Sequence, residues 1–390
     1  MRYLVKGSAA LLISAAPLAA GGIERAPQSL AALFEEGNYA ELSFGGADPT
    51  VKGTDALGFG TGDVAQGYGF VGLAYKHQFN ENLSGAIIIE QPFGADIRYP
   101  SQDGIPDPAA TGSPVLGDTS ATVDSTTFTA LLRYKFENQF SVHGGIRGSK
   151  ASGVVNLNGG GYGGPPPAGL SGYNVTLDDS WGVGYVLGAA YEIPEIAARL
   201  SLTYNSSVEH DFDTTENIPG IPVGMDSTTT VKTPQSVTLE GQTGIAADTL
   251  LFGSIRWVKW SEFLVKPRIF TRDPTPDDPL GFGVSEGLVT LEDTTTYTLG
   301  IGRKFTENWS GSAALVYEPS GDDLVSPLAP TNGRKGITLA AIYTLDNMKI
   351  TTGVNYSKLG NARPQTGGDP RAEMRDSEVW GIGIRVGYSF

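Results

Sequence analysis

The chain has 390 residues, with 53 glycines, no cysteine and 40% hydrophobic residues, a composition within the reach of one large β architecture. Acidic side chains outnumber basic ones by 42 to 27, and the formal net charge is -15. Because phosphate contacts need a basic face, this charge excludes nucleic acid as a partner. The lack of cysteine is compatible with an envelope protein that does without disulfides.

The N-terminus has the pattern of a secretory signal peptide. Arg2 and Lys6 form a basic start, residues 9–16 form a short apolar stretch, and residues 17–21 are rich in small side chains. We therefore predict a signal peptide over residues 1–20, with a short core helix as the alternative. Beyond it no apolar stretch approaches the roughly 20 residues that a membrane helix needs. The mature chain is then either secreted and soluble, or it spans a membrane as a barrel.

A short amphipathic segment follows the signal peptide. Three apolar residues stand there at helical spacing: Leu30, Leu33 and Phe34. Ser29 is suited to begin a helix and Gly37 to end it. Two helical turns are marginal in isolation, so the helix would need a surface on which to dock. We predict that residues 21–38 form a small plug in the lumen of a barrel, and an unstructured periplasmic lead is the alternative.

Residues 39–390 alternate with a period of two, which is typical of β-strands. The C-terminal row is the clearest: Trp380, Ile382, Ile384, Val386, Tyr388 and Phe390. The residues between them are mostly glycine or polar, and the same pattern recurs at 128–136, 181–191 and 337–343. Segments of about ten residues with one apolar and one polar face are expected of transmembrane barrel strands.

The connections between these segments alternate in length. Tight turns such as those at 80–82 and 346–347 are separated by long polar segments rich in Gly, Pro, Asp and Thr, such as 151–172 and 211–232. Bacterial barrels have short periplasmic turns and long external loops. The sequence therefore predicts an all-β, antiparallel transmembrane β-barrel of about 14 strands in the bacterial outer membrane. A soluble β-sandwich, the alternative, would expose rows of Leu, Val, Tyr and Phe to water.

Three regions resemble the FadL/TodX family of outer-membrane transporters for long-chain fatty acids and aromatic hydrocarbons. They are residues 87–99, which include the run QPFGAD at 91–96, residues 233–263, which include WVKWSEF at 257–263, and the C-terminal run 297–390. The resemblance implies a fourteen-stranded barrel, an N-terminal plug, a kinked third strand and passive movement of hydrophobic ligands through the barrel wall. Fatty acids are then the first expected ligand class and aromatic hydrocarbons the second.

The third strand carries the sharpest hypothesis about function. Pro92 lacks a backbone donor and is disfavoured in a central strand, and Gly94 has no side chain to fill the wall. We predict that Pro92, Phe93 and Gly94 form an inward kink that leaves a lateral gap for an apolar ligand. The alternative is a β-bulge at the external rim. The two differ in depth, because a gap has to lie at the level of the hydrocarbon.

A fatty acid would need a partner for its carboxylate. Seven basic residues face the lumen by strand parity: Arg98, Arg133, Lys135, His143, Arg147, Arg199 and Lys349. We take Arg98, Arg133 and Arg147 as the candidate ligand-carboxylate residues. The alternative is that they are ordinary lumen charges paired with Glu90, Asp96, Asp124 or Glu240. Arg256 and Lys259, which flank two tryptophans, are expected to lie at an aromatic girdle rather than in a binding pocket.

Catalysis is not expected. Of the three histidines, His77, His143 and His210, only His143 has a serine nearby on its strand, and no third triad member is evident. We expect no metal and no cofactor. The expected partners are a fatty acid or other hydrophobic ligand, outer-membrane lipid and lipopolysaccharide, and the barrel-assembly machinery, which would read the strand ending in Phe390. A general diffusion porin for small polar solutes is the alternative function.

Overall fold

The computed structural model describes residues 23–26, 28–102, 105–166, 168–220, 224–274 and 281–390. The predicted signal peptide lies outside these residues. Within them, fourteen antiparallel strands form one closed barrel. The first strand pairs with the last, from Tyr39 opposite Ser389 to Thr50 opposite Glu378. Closure leaves no unpaired edge, as a sheet in lipid requires, and the predicted fold class is confirmed.

The strands, in chain order, are β1 Tyr39–Thr50, β2 Tyr68–Gln78, β3 Leu83–Glu90 continued by Gly94–Arg98, β4 Ser120–Lys135, β5 Phe140–Leu157, β6 Tyr173–Ile193, β7 Ala198–Asn205 continued by Val208–Asn217, β8 Met225–Thr233 continued by Ser236–Ala246, β9 Thr249–Val258, β10 Thr294–Lys304, β11 Trp309–Glu318, β12 Arg334–Leu345, β13 Met348–Leu359 and β14 Glu378–Ser389. Each pairs with its neighbours in sequence. β3, β7 and β8 are the interrupted strands among the residues described.

The outer face of the barrel is apolar. On β14 the side chains of Trp380 and Ile382 are 56% and 65% exposed, whereas that of Val379, which points inward, is fully buried. The same alternation follows from the pleat along the other strands. Rows of this kind are stable only against lipid, in agreement with the predicted outer-membrane location. No helix of the described residues is long and apolar enough to span a membrane.

The two ends of the barrel differ as predicted. The end at which β1 begins and β14 ends has turns of two to four residues, and in the two-residue turns Asp248 and Asp346 adopt a positive φ of 56° and 50°. The long connections are at the other end. The predicted loops 151–172 and 211–232 are both shorter than expected. Strand β5 continues to Leu157 in the first, and the interrupted strands β7 and β8 occupy much of the second. Their outward residues there are polar, so the apolar alternation gave no signal.

The long connections pack together at the outer end of the barrel. Small sheets join Gly53–Asp55 to Ala372–Met374, and Leu324–Val325 to Arg363–Thr366 and Asp369–Pro370. Short helical turns lie at Gly160–Tyr162, Pro194–Ile196, Trp260–Glu262 and Arg268–Thr271, of which the second is at the periplasmic end. Tyr99, just past β3, donates to the carbonyl of Pro327 at 2.9 Å. Burial raises the pKa of this phenol well above its usual value, so it remains a donor.

The N-terminal segment is less helical than expected. A single 3-10 turn spans Ala31–Phe34, where two turns of α-helix were predicted. The Ser29 hydroxyl accepts a hydrogen bond from the Ala31 amide at 3.3 Å. Gly37 has a φ of +63°, and the chain enters β1 two residues later. The helical turn ends at Phe34 because the next residue, Glu35, is extended, with φ -68° and ψ 155°.

Candidate functional site

The wall is irregular where β3 is interrupted. Glu90 pairs with Thr127 of β4, and Gly94 pairs with Asp124, so three residues of β3 lie opposite two of β4. This is the geometry of a β-bulge. The Ser125 hydroxyl fills the mismatch, because it accepts from the Phe93 amide at 3.0 Å and donates to the Phe93 carbonyl at 2.7 Å.

On its other side β3 separates from β2. Their ladder ends at Leu73 opposite Ile89, and in the described structure the chain just before β2 then meets β3 at a single bridge between Ala65 and Ile97. No ladder joins the intervening residues of the two strands in the described structure. A hydrogen bond from the Val71 amide to the side-chain oxygen of Gln91, 3.0 Å long, crosses this region. We call the region between β2 and β3 in which no ladder joins the two strands the β2–β3 opening.

The β2–β3 opening lies at the depth of the apolar outer band. Val71, at its lower edge, is opposite Phe44 of β1, which in turn is opposite Ile384 of β14. Ile384 is in the middle of the outward row that runs from Trp380 to Phe390. Val71 and Phe44 are themselves 49% and 44% exposed on the outer face. The interruption is thus not confined to the rim that carries the loops.

The N-terminal segment bonds to the lumen side of the interruption. The Arg25 amide donates to the Pro92 carbonyl at 2.7 Å, and the Gly94 amide donates to the Ile23 carbonyl at 2.8 Å. The Arg25 guanidinium binds Asp124 of β4 at 2.8 Å. Residues 23–26 therefore satisfy backbone groups that a regular β2–β3 ladder would otherwise have bonded.

The next part of the same segment packs inside the barrel. Leu30, Leu33 and Phe34 are buried against inward-facing residues, among them Ala74 and Leu131. The ring of Phe34 lies between two guanidinium groups, with Arg133 at 4.5 Å and Arg199 at 4.3 Å from its centroid. His143 meets the same ring edge-on at 5.8 Å. The predicted plug residues are thus brought together within the lumen.

The three predicted carboxylate ligands are not brought together. Arg133 forms an ion pair with Glu192 and donates to Ser141 at 3.1 Å. Arg147 is 3% exposed and faces the carboxylate of Glu90, and Arg98 is exposed at the outer end of β3. A fourth lumen cation, Arg256, binds Glu24 at 2.5 Å.

The expectation that Arg256 lies at an aromatic girdle is wrong. Its side chain is inside the barrel, where it donates to the hydroxyls of Ser236 and Thr238 at 3.1 and 3.0 Å. Trp260 is fully buried, because the chain turns inward just after β9 and places the indole against Phe93, with ring centroids 5.8 Å apart. In the sequence, charged residues alternate with tryptophan here, and this pattern did not show which side chains face the lumen and which face the membrane.

Above the N-terminal segment lies a cavity with an apolar lining. Ile23 and Phe93 are at its floor, and inward residues of β4 to β8 form its walls. The chain between β9 and β10 folds over it and contributes four apolar side chains: Phe263, Val265, Leu288 and Val289. We call this cavity the outer cavity, and residues 259–274 and 281–293 the roof segment. A mostly apolar lining suits a small hydrophobic ligand.

A buried carboxylate holds the roof segment in place. Glu216 of β7 is fully buried. It accepts hydrogen bonds from the Tyr173 hydroxyl at 2.6 Å and from the amides of Ile269 and Phe270 at 2.8 and 3.0 Å. Sequence reasoning missed both Glu216 and the roof segment. The apolar residues at 263, 265, 269 and 270 were the available signal.

Comparison with known proteins gives a consistent result. The family described as outer membrane protein transport protein (OMPP1/FadL/TodX) matches residues 48–390. The structure of a Pseudomonas aeruginosa FadL homologue is similar, with a TM-score of 0.70, 18% identity and 92% of each chain covered. So are two toluene transporters at 14% identity. TodX of Pseudomonas putida has a TM-score of 0.62, with 92% of this chain and 91% of TodX covered. TbuX of Ralstonia pickettii has a TM-score of 0.60, with 95% of each chain covered. No curated protein sequence matches the chain.

Proposed function

The chain belongs to the OMPP1/FadL/TodX family of outer membrane transport proteins, and we propose that it moves hydrophobic small molecules from the outer cavity sideways into the bilayer through the β2–β3 opening. Transport would be passive, because a ligand that enters the membrane laterally moves down its own partition gradient. An apolar molecule on this route never crosses the charged lower lumen, where it would be poorly solvated.

The observation that carries the proposal is that the outer cavity and the β2–β3 opening share the interruption of β3. Ile23 and Phe93 border the outer cavity. Ile23 and Ala95 also border a smaller cavity that reaches Tyr68 and Gly94. A third cavity, lined by Phe70, Val71 and Gln91, lies at the opening itself. The outer cavity and the smaller cavity share Ile23 and Ala95, and the lining of the third cavity includes Gln91, three residues before Gly94.

Two ligand classes are candidates, long-chain fatty acids and aromatic hydrocarbons. The residues that line the outer cavity include neither lysine nor arginine in the described structure. Arg133 and Arg147 already face Glu192 and Glu90. An ionised carboxylate would lose its hydration there without gaining a cationic partner. The lining therefore favours a neutral hydrophobic molecule over an ionised fatty acid.

The general diffusion porin is less well supported. A porin needs a water-filled lumen with a charged constriction. Here the middle of the barrel contains Leu30, Leu33 and Phe34, and the space above them has an apolar lining. The polar cavity near Glu35 and Lys76 is at the periplasmic end.

The test uses a reversible cross-link, which the cysteine-free chain makes simple. Val71 and Gln91 lie on opposite sides of the β2–β3 opening and are replaced together by cysteine. Leu73 and Ile89, which are already paired two residues below, provide the matched control pair. Uptake of a labelled long-chain hydrocarbon and of a small sugar is measured in liposomes before and after oxidation. Cross-link formation is verified by gel mobility.

Oxidation of the V71C/Q91C protein should abolish hydrocarbon uptake, and reductant should restore it. The L73C/I89C protein should transport equally well in both states. Undiminished uptake through the cross-linked opening would refute lateral release. Rapid sugar flux without hydrocarbon uptake would instead favour the porin.

A further inference from the structure

A single polar group in the wall of the outer cavity lacks a partner. His210, on β7, is fully buried and borders the outer cavity. Its Nδ1 lies 3.2 Å from the carbonyl oxygen of Ser180. A carbonyl can only accept a hydrogen bond, so Nδ1 carries the proton. The Nε2 atom has no hydrogen-bond partner among the residues that the structure describes.

The surroundings of His210 keep the ring neutral. Phe212 stacks on it with ring centroids 5.6 Å apart, and nearby residues of the cavity wall include Leu177 and Val231. A positively charged ring would place a second, unpaired N–H in this apolar site, which is costly. In the neutral ring with its proton on Nδ1, Nε2 is a hydrogen-bond acceptor.

A buried acceptor without a donor destabilises the ligand-free protein, and a ligand that supplies a donor removes this penalty. The donor has to come from the ligand, since no side chain of the described structure supplies one to Nε2. It also has to be uncharged, because an ammonium group would lose its hydration in an apolar cavity and find one acceptor in return. A hydroxyl group on an otherwise apolar molecule meets both conditions.

This inference rests on the proposed function and narrows the class of ligand. We propose that the outer cavity selects hydrophobic molecules with one hydroxyl group, such as alkylphenols or long-chain alcohols, whose O–H donates to Nε2 of His210. The apolar body of such a molecule lies against Phe93 and the roof segment. His210 is then a specificity-determining residue.

The position of His210 along the barrel fits this role. Its neighbours on β7, Glu209 and Asp211, point outward and are exposed and charged. Charged rows of this kind do not face hydrocarbon, so this part of β7 extends beyond the membrane on the outer side. An incoming molecule would thus meet His210 before it reaches Phe93 and the β2–β3 opening.

The test compares 4-octylphenol with 4-octyltoluene, which have similar shapes and differ by one hydroxyl for one methyl. Equilibrium binding of the labelled compounds is measured on the full barrel in nanodiscs, after subtraction of binding to empty nanodiscs. The wild-type protein should bind the phenol about tenfold more tightly, as expected for one hydrogen bond to a buried acceptor. His210→Leu should lose this preference and bind 4-octyltoluene at least as well.

His77→Leu is the matched control, because His77 lies near the periplasmic end of β2, where it stacks on Tyr75 and meets Phe79 edge-on outside the lumen. It should keep the wild-type preference. Equal wild-type affinity for the two compounds would overturn the hydroxyl selectivity, and this comparison needs no variant. A preference that persists in His210→Leu would overturn the assignment to His210. Failure to bind either compound would count against the proposed function itself.

Discussion

The guanidinium of Arg25 lies directly over Gly94. A Cβ atom at position 94 would overlap the Arg25 guanidinium where it now lies, so the absence of a side chain at Gly94 permits this close approach. The contact places the Arg25 side chain between Asp124 and the ring of Tyr68, which is 5.0 Å away. Gly94, where β3 resumes, is thus also a point of contact with the N-terminal segment.

Replacement of Gly94 by alanine should displace Arg25 and weaken its ion pair with Asp124. We expect the free energy of unfolding to fall by about 1–3 kcal/mol, the usual cost of overpacking. Urea unfolding in liposomes measures the change. Gly148→Ala is the control, because a Cβ there would meet Trp181 at an ordinary 3.7 Å. Equal stability of the two variants would show that Arg25 moves aside without cost.

Phe34 holds the N-terminal segment in the lower lumen through its two guanidinium contacts. Phe34→Ala removes both, each worth roughly 0.5–2 kcal/mol, while Arg133 keeps its pairing with Glu192. The segment should then leave the lumen part of the time, and single-channel conductance in planar bilayers should rise. Phe79→Ala, an exposed aromatic at the periplasmic end, should conduct as the wild type does. Unchanged conductance in Phe34→Ala would argue against a plugging role.

The roof segment depends on the charge of Glu216. Glu216→Gln keeps the size but offers one carbonyl oxygen to three donors, so the amides of Ile269 and Phe270 lose part of their bonding. At roughly 1–3 kcal/mol for a buried group left unpaired, the segment should open about tenfold or more often. Limited proteolysis of intact outer-membrane vesicles reports this opening. Glu209→Gln, on the outer face of the same strand and paired with Lys232, should be cleaved at the wild-type rate.

The barrel was predictable because its signals are local. The outward row of β14 follows from alternation with a period of two, and the interruption of β3 follows from the chemistry of Pro92 alone. The partners inside the lumen were not predictable. Arg133 of β4 meets Glu192 of β6, and Arg256 meets Glu24 of the N-terminal segment; such pairs depend on the position of each side chain in the folded barrel. Strand parity correctly placed Arg133 and Arg147 in the lumen but could not show that both were already engaged.

The outer cavity was hidden for a related reason. His210 and Glu216 belong to a stretch rich in exposed acidic residues, where β7 extends past the membrane and the outward face is no longer apolar. Without an apolar row, the alternation gave no sign that 208–217 is a strand, and hence none that its inward residues form a wall. The roof segment is irregular, so no periodicity marks its apolar side chains as buried.

The pair of Arg256 and Glu24 gives a final prediction, since it joins β9 to the N-terminal segment inside the lumen. Both side chains are almost fully buried, with 9% and 11% of their surface exposed. Arg256→Ala leaves the Glu24 carboxylate without its cation, and breaking a buried pair in this way costs about 3–5 kcal/mol. We expect that loss in urea unfolding, together with a higher single-channel conductance as residues 23–26 detach from β3.

A double variant separates the charge from the packing. Arg256→Met with Glu24→Gln removes both charges and keeps similar volumes, so it should recover most of the stability that Arg256→Ala loses. Arg375→Ala breaks an exposed pair with Glu373 at the outer end and should leave the free energy of unfolding unchanged, because solvent screens the pair. If the double variant is as unstable as Arg256→Ala, the bonds from Arg256 to Ser236 and Thr238 matter more than its charge. The N-terminal segment would then be held chiefly by its backbone bonds to Pro92 and Gly94.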